Sequence, residues 1–571
     1  MVFTAPPWLP EPLNPIPEAV PVGQFVLDGT GGPRTPATAD RILVDAVTGQ
    51  TLSVAALSER VDNLAKGLAQ ELGWSPNQGQ PMDKVVGILS LNCPDYLVLS
   101  WAVHRLNGVV LPLHAGTDSK ELESHLTASS CKVLFASRSL SSAARQLAES
   151  CSLPQNRLFG LSSSGDANGA GDDLGKPLED LVSAGSGLGP LEGLQWEDGR
   201  ARRQVAFLAS TSGSGGKQKL AQVTHHNIIS NIAQIWAHES YTRKGQPKTG
   251  VMVLPMSHSY ALVVSHMTMW AGDPTVLHPK FDIMAMLKSV GQFKVQRLYL
   301  IPAIISALAK HAALLKMFDC SSVETLVSGG GALDKDLANL VWSVKPDWEI
   351  LVAYGLTETA IIASFGSPHD IVAGSSGSIM PLVQLRLVDW DGAEVECHDK
   401  PGEILIKGPN VVPAYLASDQ PVQDADGWLH TGDVGLIRLS EKTGHEHLFI
   451  VDRLKDIIKV KGKQVSPADI EAQLLTHPAV QEAAVIGVAH EDAGERAQAY
   501  ICLGKSAAAG ECEDDVRRGI REFIEQRMAQ EYWLGNRIVF VDKIPRTLSG
   551  KVLKETLKEW AREGRTGPAA H

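Results

Sequence analysis

Short apolar runs alternate with longer stretches of helical periodicity through the first two-thirds of the chain. From Leu52 to Leu72 apolar residues recur at helical spacing behind Ser53, a good cap, and predict a helix. Val85 to Leu91 is a largely apolar run of the kind found in buried strands, and Pro94 to Leu106 reads as the helix after it. Val109 to Leu113 and Lys132 to Phe135 continue the series, which predicts a doubly wound, largely parallel α/β sheet. Further strands are expected at VMVLPMSHSYAL (Val251 to Leu262), Val323 to Val327 and Leu351 to Tyr354. Ile228, Ile232, Ile235 and Trp236 mark the apolar stripe of another helix. Two regions break the pattern. The first forty residues, rich in Pro, Gly and Ala, are expected to wrap the surface, and Leu161 to Gly193 reads as a long surface loop.

From Gly374 to Leu448 the period shortens to alternating strands with Gly and Asp turns, a small β-subdomain. The fold class expected is α/β: a large N-terminal domain, residues 1–452, of doubly wound mixed sheets plus that subdomain. Residues 453–571 are enough for a small mobile α+β C-terminal domain.

Composition narrows the function. At 571 residues the chain exceeds a single core, and no run of some 18 apolar residues offers a membrane span. The start lacks the basic-then-apolar form of a signal peptide and the end is not a peroxisomal tripeptide, so a cytoplasmic location is expected. Seven scattered cysteines, none in CxxC spacing, read as reduced thiols without a zinc site. A net charge of -12 argues against nucleic acid as a partner. Positive charge is instead local: Arg453, Lys455, Lys459, Lys461 and Lys463 cluster, opposed in sequence only by Asp456.

Candidate chemistry begins at STSGSGGKQK, Ser210 to Lys219, between the apolar run Val205 to Leu208 and a helical segment starting near Asn227. Strand, glycine loop and helix form a phosphate cradle, in which backbone N–H groups converge on an anion and lysine adds charge. The loop fits neither the Walker nor the dinucleotide pattern, so alone it reads equally well as a flexible polar loop.

Four downstream segments decide between these readings: AYGLTET (Ala353 to Thr359), GWLHTGDVG (Gly427 to Gly435), VDRLKDIIKVKGKQVSP (Val451 to Pro467) and PRTLSGK (Pro545 to Lys551). In this order and spacing the chain, from about Asp83 to Leu557, resembles the adenylate-forming superfamily of acyl- and aryl-CoA ligases, luciferase and peptide-synthetase adenylation domains. LPMSHSYAL, Leu254 to Leu262, is most similar to the branch of 4-coumarate-CoA ligase and fungal acyl-CoA ligases. The resemblance implies an acid-thiol ligase using ATP, Mg2+ and CoA, which joins a small carboxylic acid to CoA through acyl-AMP.

It also implies roles. Thr211, Ser212, Gly213, Ser214, Gly216 and Lys219 would hold phosphates. Tyr354 would stack on adenine with Gly331 beside it, while Asp433 takes the ribose with Arg453 as companion. Thr357 would donate to the α-phosphate and Glu358 hold magnesium. His258 would flank the reacting carboxylate, and Lys551 would reach in for adenylation. About a hinge at Lys455, the small domain would then swing to present Lys459, Lys461 and Gly462 for the thiol step. Tyr260, Val264, Val327, Gly330, Gly331 and Ala353 correspond to the acyl pocket.

Departures bear on this. The family's usual SSGTTGxPKG loop has Gly215, Gln218 and Leu220 at three of its positions here. Ser259 stands where amino-acid-activating relatives carry an aspartate, so an ammonium would go unpaired. Pro413-Ala414-Tyr415 replaces the more usual Gly-Tyr and is read as surface drift. Two valines, Val264 and Val327, replace polar groups of the plant enzymes, which predicts an apolar fatty or aryl acid. An acyl-AMP ligase that loads a carrier-protein pantetheine stays open as the alternative.

Overall fold

The computed structural model describes residues 1–13, 15–163, 174–211, 218–243, 245–418, 421–504, 512–546 and 552–564. Among them the strands form four sheets. A seven-stranded sheet runs in space from Lys219–Thr224 through Val205–Thr211, Val109–Leu113, Val85–Leu89, Val133–Ser137 and Leu158–Leu161 to Lys176–Pro177. Only the Lys219–Thr224 edge is antiparallel. A nine-stranded sheet has Gly250–Met252, Arg297–Leu300, Thr325–Ser328 and Glu349–Tyr354 as its parallel centre. An antiparallel five-stranded sheet comprises Val2–Thr4, Gln384–Val388, Gly402–Lys407, Leu429–Leu439 and Glu446–Arg453. The last sheet, built on the long hairpin Val480–His490 and Gly494–Leu503, has its own apolar core.

Local rules hold where contacts are local. The helix Val54–Leu72 starts at Ser53, whose side chain accepts from Ala56 N, and stops at Gly73 with φ 68°. Helix Pro94–Arg105 and helix His225–Arg243 are buried almost all round. The second carries Ile228, Ile232 and Ile235, all buried in the main core.

Four expectations need correction. The first forty residues do not merely wrap the surface. Helix Val22–Asp28 enters the core, with Phe25 stacked on Trp270 at 5.5 Å. The stretch 161–193 is not one loop, because Leu178–Ser186 is a helix. It packs so closely on helix Val54–Leu72 that a Cβ on Gly185 would sit 1.8 Å from the carbonyl oxygen of Asn63. The run Val251 to Leu262 is a strand only over Gly250–Met252 and turns at Pro255 into the buried helix Ser259–Ala271. Finally, the glycine loop does not lead directly into a helix. Strand Val205–Thr211 returns antiparallel as Lys219–Thr224, Thr211 opposite Lys219, and the helix opens one strand later.

Candidate active site

The turn after strand Glu349–Tyr354 is fixed by its backbone. A Cβ on Gly355 would lie 1.5 Å from the Ile361 carbonyl oxygen, so only glycine fits. Ala360 and Ile361 are left-handed, φ 47° and 99°. A β-branched residue there is strained and needs external support. Asn410 Nδ2 gives it, donating to the carbonyls of Thr359 at 2.9 Å and Ile362 at 3.1 Å. The turn, a single 3-10 stretch Thr357–Thr359, leaves Thr357 and Glu358 half-buried at the carboxyl end of the sheet. Ligands of open α/β sheets collect at such ends. Ser259 Oγ lies 3.3 Å from Thr357 Oγ1, joining the start of helix Ser259–Ala271 to the turn.

Glu358 has a partner that sequence reading missed. Tyr415 donates its phenolic proton to Glu358 Oε1 at 2.6 Å, and the ring faces Lys219 Nζ, 4.7 Å from its centre. Tyr415 is therefore not surface drift: it forms an antiparallel bridge with Ala221 and sits half-buried between two predicted site residues. Nothing short-range in the sequence joins positions 219, 358 and 415, so only the fold reveals the contact.

Tyr354, Asp433 and Arg453 also meet. Tyr354 donates to Asp433 Oδ2 at 3.0 Å, and Arg453 Nε lies 3.3 Å from Asp433 Oδ1. Register does this, since Asp433 and Arg453 face each other across antiparallel strands. Burial and the Asp433 charge push the Tyr354 phenol well above its usual value, so it stays a donor.

Beside the turn, His258 packs on His114 with ring centres 4.6 Å apart, and His114 Nδ1 lies 3.0 Å from Ser257 Oγ. Burial, reinforced by His114, lowers His258 to about 4. It is a neutral imidazole at pH 7. Tyr260 donates to the Val327 carbonyl at 3.2 Å, and its ring fills the space a Gly329 side chain would need. Val264 and Val327 are both 2% exposed. Ala353 is half-buried, while Gly330, at φ 78°, and Gly331 are exposed.

Lys455 lies exposed in the short turn Leu454–Asp456, and Lys459 is exposed on strand Ile458–Val460. Lys461 and Gly462 are the two residues of a tight hairpin, φ 50° and 79°, closed by the pair Val460 and Lys463. Such turns demand φ > 0 at both positions, hence glycine at the second. The basic cluster is less free than its sequence suggests. Arg453 pairs with Asp433, Lys463 with Glu531 at 2.9 Å, and Asp456 faces Lys558 at 3.6 Å. Ser212, Gly213, Ser214, Gly216 and Lys551 lie outside the described residues.

A hydrolase-like set elsewhere is structural. Ser375 Oγ lies 2.9 Å from His447 Nδ1, and His447 Nε2 lies 3.1 Å from Asp370 Oδ2. All three are at most 5% exposed, and the Ser375 hydroxyl also accepts from Gly377 N. A nucleophile needs access to substrate.

The chain matches a family model described as AMP-binding enzyme over residues 33–416 and one described as AMP-binding enzyme C-terminal domain over 469–551. It is 44% identical to the acyl-CoA ligase easD of Emericella nidulans, covering 98% of this chain and 100% of that one. It is 43% identical to the acyl-CoA ligase cm3C of Cordyceps militaris, over 98% and 90%. Among solved structures, ATP-bound MatB from Rhodopseudomonas palustris shares the fold with a TM-score of 0.77 at 24% identity, covering 95% and 99%. The MenE synthetase from Bacillus subtilis in complex with ATP and magnesium shares it at 0.73 and 22%, over 94% and 99%. The chain belongs to the adenylate-forming family of AMP-binding acyl-CoA ligases, which use ATP, Mg2+ and CoA to convert a carboxylic acid through acyl-AMP into its CoA thioester.

Proposed function

We propose that the acid is apolar, a medium-chain fatty acid or an unsubstituted aryl acid. The observation that carries this reading is the hydrogen bond from Tyr260 to the Val327 carbonyl. It uses the one proton the hydroxyl can donate, and the side chains of Val264 and Val327 offer no polar atom. A phenolic oxygen buried there would find no donor among these side chains, at about 1 to 3 kcal/mol, whereas each buried methylene gains about 0.8 kcal/mol. Ser259 and a neutral His258 give an ammonium no anion, which speaks against α-amino acids. The test is kcat/KM for hexanoate, octanoate, benzoate, cinnamate and 4-coumarate under one set of conditions. The apolar acids should lead, and a preference of about tenfold or more for 4-coumarate overturns the reading.

The roles of individual residues belong to the same proposal. The carboxylate attacks the α-phosphorus beside His258 and displaces pyrophosphate. Thr357, Thr211, Lys219 and Lys551 offset the charge that gathers there. Glu358 suits a hard cation, being a half-buried carboxylate with one oxygen already oriented by Tyr415. When bound, magnesium neutralises polyphosphate charge. Asp433, held by Tyr354 and Arg453, accepts the ribose hydroxyls, and Tyr354 lends its ring to adenine. We assign residues 1–452 to the adenylating domain and residues 453–571 to a domain that turns about Lys455. That turn would exchange Lys551 for Lys459, Lys461 and Gly462 when the thiol displaces AMP. No helix among the described residues is long and apolar enough to cross a membrane, and we place the enzyme in the cytoplasm.

A further inference from the structure

Lys219 and Glu358 carry opposite charges and meet the same aromatic side chain, one over the ring face and the other at the hydroxyl. Glu358 Oε1 takes the Tyr415 proton at 2.6 Å, and Lys219 Nζ stands 4.7 Å from the ring centre. Left alone, two such groups at the mouth of a site collapse into an ion pair that an incoming polyphosphate would have to break. Among the described residues they form no such pair.

We propose that Tyr415 is a positioning residue for adenylation: its hydroxyl aims the Glu358 carboxylate, and its ring holds the Lys219 ammonium off that carboxylate. Both charges are thereby kept ready, one for the cation and one for the phosphates. The contact distance is that of a charge-assisted hydrogen bond, and the ammonium sits within cation–π range.

The ring is placed by the backbone around it. Asn227 Nδ2 donates to the carbonyls of Pro409 at 2.9 Å and Val411 at 3.0 Å, anchoring the start of the strap 409–416. Val412 N donates to the Glu358 carbonyl at 2.9 Å, so the strap grips the same residue whose side chain Tyr415 holds. Gln222 N donates to Ala414 O at 3.0 Å and Leu416 N to Leu220 O at 2.7 Å. These bonds add Tyr415 as a rung beside the strand that begins at Lys219. One strap thus ties strand Lys219–Thr224 to the Thr357–Thr359 turn. Its aromatic residue meets both oppositely charged side chains, Glu358 through its hydroxyl and Lys219 through its ring face.

The proposal rests on reading Glu358 and Lys219 as polyphosphate-binding groups. Calorimetric titration of the whole chain with ATP, without acid so that no turnover occurs, tests it with and without magnesium. Tyr415→Phe removes the hydroxyl but keeps the ring. Its Kd for magnesium-ATP should rise about tenfold while metal-free ATP binding stays at the wild-type value. Tyr415→Leu removes both functions and should weaken metal-free binding as well, because Lys219 can now reach Glu358. Adding Glu358→Gln to Tyr415→Leu should restore that metal-free binding. If Tyr415→Phe and Tyr415→Leu both bind magnesium-ATP within about twofold of wild type, Tyr415 has no positioning role. Should Tyr415→Leu fail to fold, Tyr415→Phe alone decides. If wild type itself does not bind magnesium-ATP, the reading of Glu358 and Lys219 falls, and the proposal with it.

Discussion

The phenol of Tyr354 donates to the carboxylate of Asp433 at 3.0 Å, and so joins the last parallel strand of the nine-stranded sheet to the five-stranded antiparallel sheet. If Asp433 receives the ribose, both vicinal hydroxyls matter to it. Asp433→Ala should raise KM for ATP by about ten- to a hundredfold. Wild type should prefer ATP to 2′-deoxy-ATP, and the variant should lose that preference. A variant that discriminates as well as wild type removes Asp433 from the ribose site.

The two lysines assigned to opposite half-reactions can be separated. Lys551→Ala should lower acyl-AMP formation by about a hundredfold or more, yet largely spare thioester formation from supplied acyl-AMP. Lys459→Ala should do the reverse. Equal losses in both assays would refute the division of labour.

The hinge makes a sharper claim. Proline at Lys455 fixes φ near -65° and obstructs rotation about that residue. Adenylate should accumulate in Lys455→Pro, shown by pyrophosphate released in a single-turnover burst, while CoA transfer stalls. Normal steady-state turnover would show that the small domain swings elsewhere or not at all.

Acid should unfold this protein early. His104 is lowered to about 3, His238 and His266 to about 4, and His225 well below its usual value, burial being the first cause in each. The folded state holds them neutral, and the unfolded chain protonates them near pH 6.5. Stability is therefore intact above pH 6.5 and lost as pH falls from there towards 4, at about 1.4 kcal/mol per histidine per pH unit. Melting temperatures between pH 8 and pH 4.5 should be flat at first and then fall steeply. A flat profile down to pH 5 contradicts the burial argument.

How much of this was legible depended on the range of the interaction. Ser53 capping Val54–Leu72 and the strands at Val85 and Val109 are local events, and local spacing revealed them. Helix Leu178–Ser186 hid among Ser and Gly because its stability comes from tight packing on Gly67 and Asn63, far away in sequence. The first turn of helix Ser259–Ala271, up to Leu262, reads as strand because the helix is buried on nearly every side, which blurs its periodicity. Tyr354, Asp433, Thr357 and Glu358 are site candidates through motifs, whereas Tyr415 reads from sequence as surface drift. Its contacts with Glu358 and Lys219 come from a strap that pairs across the fold, and no spacing rule encodes them.

If the acid is apolar, as proposed, both half-reactions can be followed with one fatty acid. The most direct measurement follows pyrophosphate release and product mass with ATP, Mg2+ and octanoate, first without CoA and then with it. The account predicts acid-dependent pyrophosphate and enzyme-bound octanoyl-AMP in the first case, then octanoyl-CoA and AMP on adding CoA. Pyrophosphate release unaffected by octanoate, or CoA addition that yields no octanoyl-CoA, would contradict it.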